Sequence, residues 1–383
     1  MKKLEIGILI FITLLILILK FLFFDYQSGD YNIFLSRWID IMKNNGGLQS
    51  LKHTFTDYNY PYLIMLAIIS YIPIKSVYLI KAVSLIFDML LIILGCKFVY
   101  KYTKDEKKKK LNTKIAYIVL SVSPIIFMNS CVWGQCDSIY TFFTLLSIYY
   151  LCSNKVFKSF IFLGIAFSFK LQTIFILPMY GIMLFCRKRV KIYHFFIIPL
   201  VNFIMCIPAY IVGGSPLYTY KTYFFQTKEY GLGFYTTNIY SFLSNDKSLI
   251  MLGVILTALI FLTLLIYCYI KKDNINEYSI LNLSVLSVGI CYFFLPCMHE
   301  RYSYLFDVFS IIWVIIYGKK YFIPILINIC SFTLYSSYLM SFTVTKNALH
   351  ILTIFYFISL LFIMFITIYN IEKKEVYKLC NSQ

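Results

Sequence analysis

The sequence predicts an all-α integral membrane protein, a polytopic helical bundle in a single domain that covers residues 1–383. Of its residues, 60% are hydrophobic and only 14% are charged, whereas a soluble domain carries about 25% charged residues. The net charge of +18 is typical either of a nucleic-acid partner or of membrane topology. Because the basic residues occur in short clusters between apolar runs, the sequence favours topology and predicts no nucleic-acid binding.

The apolar runs predict twelve membrane spans. The first run, residues 4–24, is long enough to cross the hydrocarbon core and lacks a small-residue cleavage site, so it is interpreted as a transmembrane helix and not as a signal peptide. With about 17 to 25 residues for each crossing, the spans are predicted near residues 4–24, 76–99, 112–129, 138–152, 157–169, 173–186, 192–212, 249–270, 278–296, 302–317, 320–342 and 348–370.

Basic residues orient these spans, because loops rich in Lys and Arg stay on the cytoplasmic side. This rule places both termini in the cytoplasm and predicts a multi-pass protein of the cell membrane. Counting 61–72 as a crossing would put the basic cluster 101–110 outside. We therefore expect 61–72, which is short and flanked by prolines, to form an interfacial or re-entrant helix. Two long outer loops result, 25–75 and 213–248.

The first outer loop carries the candidate catalytic acid. Asp30 follows the outer end of the first predicted helix, where a carboxylate is partly dehydrated and still reachable by a substrate hydroxyl. That position suits a general base, and Asp25 is the alternative base. The competing interpretation is that both acids are simply solvated in a membrane-flanking loop.

A polar turn and a lysine form the second group of candidates. Trp133, Gln135 and Asp137 lie in a turn between two spans, either facing a substrate or serving as an interfacial tryptophan anchor and a helix N-cap. Lys170 lies between apolar stretches on the predicted outer side, against the positive-inside trend, so it requires an anionic partner. Lipid phosphate is the expected anion, and snorkelling of Lys170 to the interface is the alternative.

Three successive ionisable residues, His299, Glu300 and Arg301, form the third group. At a membrane boundary such a cluster is costly unless its members are paired or used. Arg301 is suited to fork onto a phosphate, and His299 to donate a hydrogen bond or act as acid or base. The alternative is a structural pair of Arg301 with Glu300 or with Asp307.

One further pair of charges lies inside a predicted span. Lys81 and Asp88 are seven positions apart and therefore lie on the same face of a helix. Isolated charges are costly inside a membrane. The sequence therefore predicts that these two side chains form a buried structural pair with each other.

At these residues the chain resembles the GT-C superfamily of membrane glycosyltransferases, and most of all the bacterial mannosyltransferases related to the GPI-anchor enzymes. Three details depart from the eukaryotic relatives: Trp38 lies one residue further from the acid, Tyr60 is followed by one proline where they have two, and Arg301 stands where they have lysine. The motifs that carry the resemblance follow one another along most of the chain: Gly29-Asp30-Tyr31 with Trp38, Tyr60-Pro61, Trp133-Gly134-Gln135-x-Asp137-Ser138, Phe169-Lys170-Leu171-Gln172 and His299-Glu300-Arg301-Tyr302.

The resemblance implies an inverting glycosyltransferase. It would move a hexose, mannose or a similar sugar, from a polyprenyl-phosphate donor to a hydroxyl of a glycan, glycolipid or protein acceptor at the outer face of the bilayer. Asp30 would be the catalytic base, and the residues that bind substrate or phosphate would be Trp133, Gln135, Asp137, Lys170, Gln172, His299, Glu300 and Arg301.

No cofactor is predicted, because the sequence shows no compact carboxylate cage; a divalent metal is compatible with the reaction but not required. Two other functions stay open. A lipid-linked oligosaccharide polymerase or ligase would use a polyprenyl-diphosphate glycan as donor. A flippase or secondary transporter would be expected to show repeat symmetry and ionisable groups near the membrane midplane, whereas most charge clusters here lie at the predicted outer boundary.

Overall fold

The computed structural model describes residues 2–53, 55–187, 189–229, 231–318 and 320–380, and its regular structure is almost entirely helical. The α-helices in these ranges are α1 Lys2–Leu22, α2 Ser36–Asn44, α3 Tyr60–Ser70, α4 Ser76–Tyr102, α5 Glu106–Ser121, α6 Pro124–Phe127, α7 Asp137–Cys152, α8 Val156–Phe169, α9 Leu177–Cys186, α10 Ile192–Phe195, α11 Ile197–Ile211, α12 Tyr218–Glu229, α13 Ile250–Ile270, α14 Glu277–Phe294, α15 Tyr304–Tyr317, α16 Phe322–Met340 and α17 Lys346–Cys380.

Within the described residues, six helices are long and apolar enough to cross a membrane, and a seventh span results if α5 and the segment after it, bent by 42°, count as one. The prediction of a helical membrane protein is therefore confirmed. Other predicted spans correspond to shorter helices: the 14 residues of α8 extend only about 21 Å at 1.5 Å per residue, against a core of about 30 Å. The six lie at Ser76–Tyr102, Ile192–Ile211, Lys247–Ile270, Glu277–Phe294, Phe322–Met340 and Lys346–Lys373.

The helices divide into central and peripheral ones. In the apolar stretch of α14, 83% of the residues are buried by other helices, and in that of α13 only 11% are buried. Both helices are strongly apolar, so hydropathy alone does not separate them. The contrast places α14 in the core of the bundle, with α15 and α17 packed against it, and leaves α13 with most of its side chains facing outward.

A buried ion pair joins α1 to α4. Lys20 donates to the Asp88 Oδ2 carboxylate oxygen at 2.6 Å, and Ser130 donates to the same oxygen at 2.5 Å. The predicted pair of Lys81 with Asp88 is wrong: Lys81 instead donates to the backbone carbonyls of Phe23 and Tyr26 at 2.6 and 2.5 Å.

The Lys81–Asp88 prediction was based on helix periodicity alone. It put both charges on one face of α4, but other segments supply the partners: Lys20 of α1 meets Asp88, and the turn that follows α1 meets Lys81. The backbone carbonyl oxygens of Phe23 and Tyr26 in that turn carry partial negative charge and accept hydrogen bonds from the Lys81 ammonium group. Both contacts tie the chain just before the first outer loop to α4, which determines where Asp30 lies.

Helix α3 is the predicted short helix near 61–72. It has 11 residues and packs against α2, α8 and α11, with most of its side chains buried. Asn59 caps it, because its side chain accepts from the Tyr60 backbone N–H, and Pro61 occupies the first turn, where its missing N–H is not needed. Asn59 also donates to the Ser168 carbonyl at 2.7 Å, so the cap ties the first outer loop to the end of α8.

The second long loop folds back over the end of α14. After α12, the two-residue strand β1 (Gly233–Phe234) pairs in parallel with β2 (Met298–His299), placing Phe234 opposite His299. The Cys297 N–H donates to the Leu232 carbonyl at 3.1 Å and extends this pairing. The strand pair was not predicted from the sequence, since two residues carry no period-2 pattern.

Candidate active site

Asp30 directly precedes a π-helical turn, Tyr31–Leu35, in the loop that follows α1. The Ser28 hydroxyl donates to the Trp133 carbonyl at 2.7 Å and accepts from the Tyr31 N–H at 3.2 Å. Tyr31 in turn hydrogen-bonds Ser76 at the start of α4, with 2.8 Å between the hydroxyl oxygens. These contacts hold the first outer loop against the turn that contains Trp133 and against the beginning of α4.

Three hydrogen bonds orient the Asp30 carboxylate. Trp133 Nε1 and Gln135 Nε2 both donate to Oδ2 at 2.9 Å, and the Tyr338 hydroxyl donates to Oδ1 at 2.6 Å. Side chains from two separate segments, the turn 133–135 and α16, therefore converge on one carboxyl group. A carboxylate has about four acceptor positions, so Oδ1, with a single donor, keeps capacity for a further hydroxyl.

Arg301 supplies the positive charge beside this carboxylate. Its Nη2 lies 3.6 Å from Asp30 Oδ2, and its Nε lies 3.7 Å from Glu300 Oε1. The guanidinium carbon lies 5.1 Å from the centre of the Trp133 ring, a cation–π arrangement. The Nη1 atom is buried and has no hydrogen-bond partner among the described residues, so the guanidinium retains a donor for an anion.

Glu300 and His299 lie directly behind Arg301. The two side chains are in contact with each other, and both are almost fully buried. The β1–β2 pairing holds His299 opposite Phe234, with 5.3 Å between the ring centres. Of the two structural pairs considered as the alternative, Arg301 with Glu300 is present, whereas Arg301 with Asp307 is not, because Asp307 accepts from serine hydroxyls at 3.0 and 2.7 Å.

Lys170 is held by a second carboxylate. Its ammonium group is in direct contact with Asp137, and both side chains are buried, with 9% and 1% of their surface exposed. Asn129 donates to the other Asp137 oxygen at 2.8 Å. An ammonium group has three N–H donors, so the contact with Asp137 leaves two of them for another partner.

Gln172 lies two residues after Lys170 in the chain. It belongs to a 3₁₀ turn, Leu171–Ile176, which α14 anchors because the Ser287 hydroxyl donates to the Phe175 carbonyl at 2.8 Å. The Gln172 side chain is buried, and its Oε1 has no hydrogen-bond partner in the described part of the chain. A buried polar atom without a partner is costly and points to a group that binds there.

These side chains line two adjoining cavities. The first has a volume of about 320 Å³, and the second, at Lys170, is much narrower, at about 40 Å³. Asp57, Tyr58 and Arg301 line both. The first is lined by Asp30, Phe34, Leu35, Trp38, Asp57, Tyr58, Gln135, Phe234, His299, Arg301 and Tyr338.

A third, apolar cavity of about 150 Å³ continues from the second. The two share Leu171, Gln172, Gln226 and Tyr302 in their walls. Its far wall includes Ile250 and Val254 of α13, the helix that is mostly exposed on the outside of the bundle. The three cavities therefore lie next to one another, from Asp30 past Arg301 and Lys170 to residues of α13.

Asp57 is a candidate that the sequence reasoning missed. It lies in the wall shared by the two polar cavities. Its side chain remains accessible to solvent, yet the protein around it removes enough water to raise its pKa above the ordinary value. The nearby Asp30 charge also raises this pKa, while the charges of Arg301 and Lys170 lower it. The sequence feature that could have identified Asp57 is that it is a further acidic residue in the loop 25–75, two positions before Asn59.

Asp25, the alternative base, lies elsewhere. Its exposed carboxylate is 3.2 Å from the Lys75 ammonium group and is in contact with the Tyr78 hydroxyl. The hydrogen bonds from Tyr78 and Lys75 lower the pKa of Asp25. The residues that line the Asp30 cavity do not include it, so Asp25 and Asp30 occupy different environments although both belong to the same loop.

Of the predicted site residues, Asp30, Gln135, His299 and Arg301 line the first cavity, and Lys170 and Gln172 line the second. Three others act behind these walls. Trp133 holds Asp30, Asp137 holds Lys170, and Glu300 holds His299 and Arg301.

Two contributors could not have been identified from local sequence. Tyr338 lies in an apolar run of α16 with nothing to distinguish it from a core tyrosine, and Phe234 reaches the cavity only through the strand pairing. Trp38, from the first outer loop, and Tyr58 add an aromatic wall, with 5.5 Å between their ring centres. Aromatic faces of this kind bind the apolar faces of sugars as well as other flat or apolar groups.

Irregular backbone surrounds the Asp30 contact. Two π-helical turns are found in the described residues. One, Tyr31–Leu35, begins just after Asp30, and the other, Met128–Trp133, ends at Trp133. Gly134 then adopts φ 76°, a conformation open to glycine at little cost. Such π-helical insertions are frequent at functional sites because they redirect side chains.

Among the described residues, no group of three or more His, Cys, Asp or Glu side chains is arranged to hold a metal ion. Neither a protein-family model nor a curated protein matches this chain.

Proposed function

We propose that this protein is a membrane glycosyltransferase of the GT-C type, which transfers a hexose from a polyprenyl-phosphate carrier to an acceptor hydroxyl with inversion. One observation carries the proposal: an oriented carboxylate, Asp30, and a buried guanidinium with a free donor, Arg301, share a cavity wall 3.6 Å apart. The cavity leads on to Lys170 and to an apolar exit. A base, an anion site and a lipid path are the three elements that this reaction requires.

In the proposed reaction, the acceptor oxygen forms a bond to the anomeric carbon as the bond from that carbon to the phosphate oxygen breaks. The Asp30 carboxylate takes the hydroxyl proton, and the polyprenyl phosphate leaves with the bonding electron pair. General-base catalysis of this kind contributes about 10²- to 10⁴-fold in rate. We assign the proton to Oδ1, since Oδ2 already accepts from Trp133 and Gln135 and faces Arg301.

The departing phosphate gains negative charge in the transition state, and cations fixed in advance around it lower the barrier. Arg301 has an unpartnered Nη1 donor at the junction of the two polar cavities. Lys170 lies in the narrower one, where its contact with Asp137 fixes its position. We place the phosphate between these two cations, with His299 as a further donor.

The isoprenoid chain would occupy the apolar cavity. Its wall contains Ile250 and Val254, and α13 leaves most of its side chains outside the bundle, so a lipid could enter there without crossing the core. In the proposed topology the shorter apolar helices other than α3 also cross the bilayer, which gives twelve spans, and the Asp30 cavity faces the non-cytoplasmic side.

The proposal is tested by presenting the purified, reconstituted protein with a panel of radiolabelled polyprenyl-phosphate monosaccharides and a membrane extract as acceptor source. We expect transfer from at least one monophosphate donor, and a rate about 10²- to 10⁴-fold lower with the Asp30→Asn variant. Transfer only from a polyprenyl-diphosphate glycan would favour a polymerase or ligase. Movement of lipid-linked sugar between leaflets without any bond formation would favour a flippase, and either result would overturn the proposal.

A further inference from the structure

A basic cavity lies at the end of the bundle opposite Asp30. Asp30 is tied to the beginning of α4 through Tyr31, whereas Tyr102 and Thr103, at the other end of α4, line a separate cavity of about 530 Å³. The 27 residues of α4 separate the two by about 40 Å at 1.5 Å per residue. The positive-inside rule assigns this end to the cytoplasm.

This cavity combines a cationic rim with an aromatic wall. Its rim includes Lys104, Lys108 and Lys320, and its wall includes Trp313 and Tyr278. Lys108 lies 3.7 Å from Asp105, and that is a weak exposed pair. The Lys104 ammonium group lies 4.5 Å from the centre of the Tyr278 ring. Four lysines line the cavity against one acidic residue, Asp105, so the cavity carries an excess of positive charge.

Among the residues that line this cavity, Thr103 and Asn370 each have a buried polar atom, the hydroxyl and the amide nitrogen, without a hydrogen-bond partner in the described part of the chain. Thr103 is only 3% exposed. Leaving such groups unpaired costs about 1 to 3 kcal/mol each in a folded protein. Both are able to donate hydrogen bonds, as are the lysines, so the cavity matches a ligand rich in negatively charged acceptors.

We propose that this cavity binds the phosphate headgroup of an anionic phospholipid. The source of the phosphate follows from the open side of the cavity, where Phe365 and Tyr369 of α17 lie in the wall and are 65% and 51% exposed. They belong to the strongly apolar stretch Lys346–Lys373, so an acyl chain beside them would remain in hydrocarbon while the headgroup reached the lysines. Basic pockets between membrane helices on the cytoplasmic side bind anionic headgroups in this way.

The proposal is independent of glycosyl transfer and is tested on the full-length protein in neutral detergent. Binding of 1-palmitoyl-2-oleoyl phosphatidylglycerol is measured by native mass spectrometry and by thermal stabilisation, with the corresponding phosphatidylcholine as the uncharged comparison. We expect Lys104→Gln/Lys320→Gln to weaken phosphatidylglycerol binding by about 10- to 30-fold. The matched control is Lys107→Gln/Lys110→Gln, which removes the same charge from exposed lysines that do not line the cavity and should change binding by less than about 2-fold.

A second variant, Thr103→Val, leaves the charge unchanged and removes the unpartnered hydroxyl. It should keep the lipid-free protein as stable as wild type and reduce the stabilisation by phosphatidylglycerol. Equal losses in both lysine double variants, or equal binding of both lipids, would overturn the proposal. So would competition by glycerol 3-phosphate or inorganic phosphate at the concentration that displaces the lipid, since the ligand would then be a soluble phosphate.

Discussion

The Asp30 cavity and the basic cavity at the opposite end of the bundle differ in how their charged side chains are held. At the Asp30 end, Asp30, Lys170 and Arg301 are largely buried, and each contacts an oppositely charged side chain from another segment of the chain. At the opposite end the lysines are exposed on a rim, and Lys108 pairs with Asp105, which lies only three positions away in the chain. The first arrangement holds atoms in one geometry, while the second supplies positive charge without rigid geometry.

This difference follows from the cost of removing charges from water. A buried charge must find a compensating partner with good geometry, so its position is strongly determined by the fold. An exposed lysine is screened by salt and water and keeps its rotamer freedom. Directional chemistry, such as proton transfer to one carboxylate oxygen, is therefore suited to the Asp30 cavity. Binding of a mobile lipid headgroup is suited to the basic cavity at the opposite end.

The largest expected effect comes from the carboxylate at the centre of the first cavity. Asp30→Asn keeps the shape but removes the proton acceptor, and we expect sugar transfer to fall by about 10²- to 10⁴-fold. The matched control is Asp25→Asn, which changes an exposed acid of the same loop and should leave turnover within about 2-fold. Turnover of Asp30→Asn close to wild type, at equal expression and membrane insertion, would remove Asp30 from the role of base.

A smaller effect is expected at Arg301. Arg301→Ala removes the unpartnered donor and one cation from the proposed phosphate position, so kcat/KM for the lipid-phosphate donor should fall by about 10- to 100-fold, with little change in KM for the acceptor. Arg301→Lys should recover part of this loss, because it restores charge without the planar fork. Equal changes in both apparent affinities would contradict a phosphate role. Thermal unfolding of each variant separates this effect from instability.

The smallest effect is expected at Asp57, on the shared wall of the polar cavities. Its pKa is raised because the surrounding protein removes part of its hydration, so its carboxylate becomes protonated at a higher pH than that of a fully hydrated aspartate. Any hydrogen bond that it accepts from the acceptor substrate is lost as the pH falls through that value. Asp57→Asn should lower activity by about 3- to 10-fold near neutral pH. It should also flatten the acidic limb of the pH–activity profile. An unchanged acidic limb would show that Asp57 contributes nothing there.

Only some residues of the Asp30 cavity can be recognised from their neighbours in the sequence. Asp30, Lys170 and Arg301 were recognisable because each is an ionisable residue next to an apolar run, an arrangement that is costly unless used or paired. Tyr338 and Phe234 were not recognisable, because an aromatic residue in or near an apolar run is ordinary in a membrane protein. Asp57 lies between these cases: it was visible as an acid, but nothing local distinguished it from a solvated one.

By itself, the amino-acid sequence determined the membrane class, the helical architecture and the candidates for buried charge, because hydropathy and the cost of burying an ionisable group depend on neighbours along the chain. Only the tertiary structure decided the partners. Lys81 and Asp88 share a helix face as predicted, yet Lys20 of α1, and not Lys81, pairs with Asp88. Helical periodicity fixes the direction of a side chain, whereas the identity of the atom that meets it depends on which helix packs there, and that is decided by contacts between residues far apart in the chain.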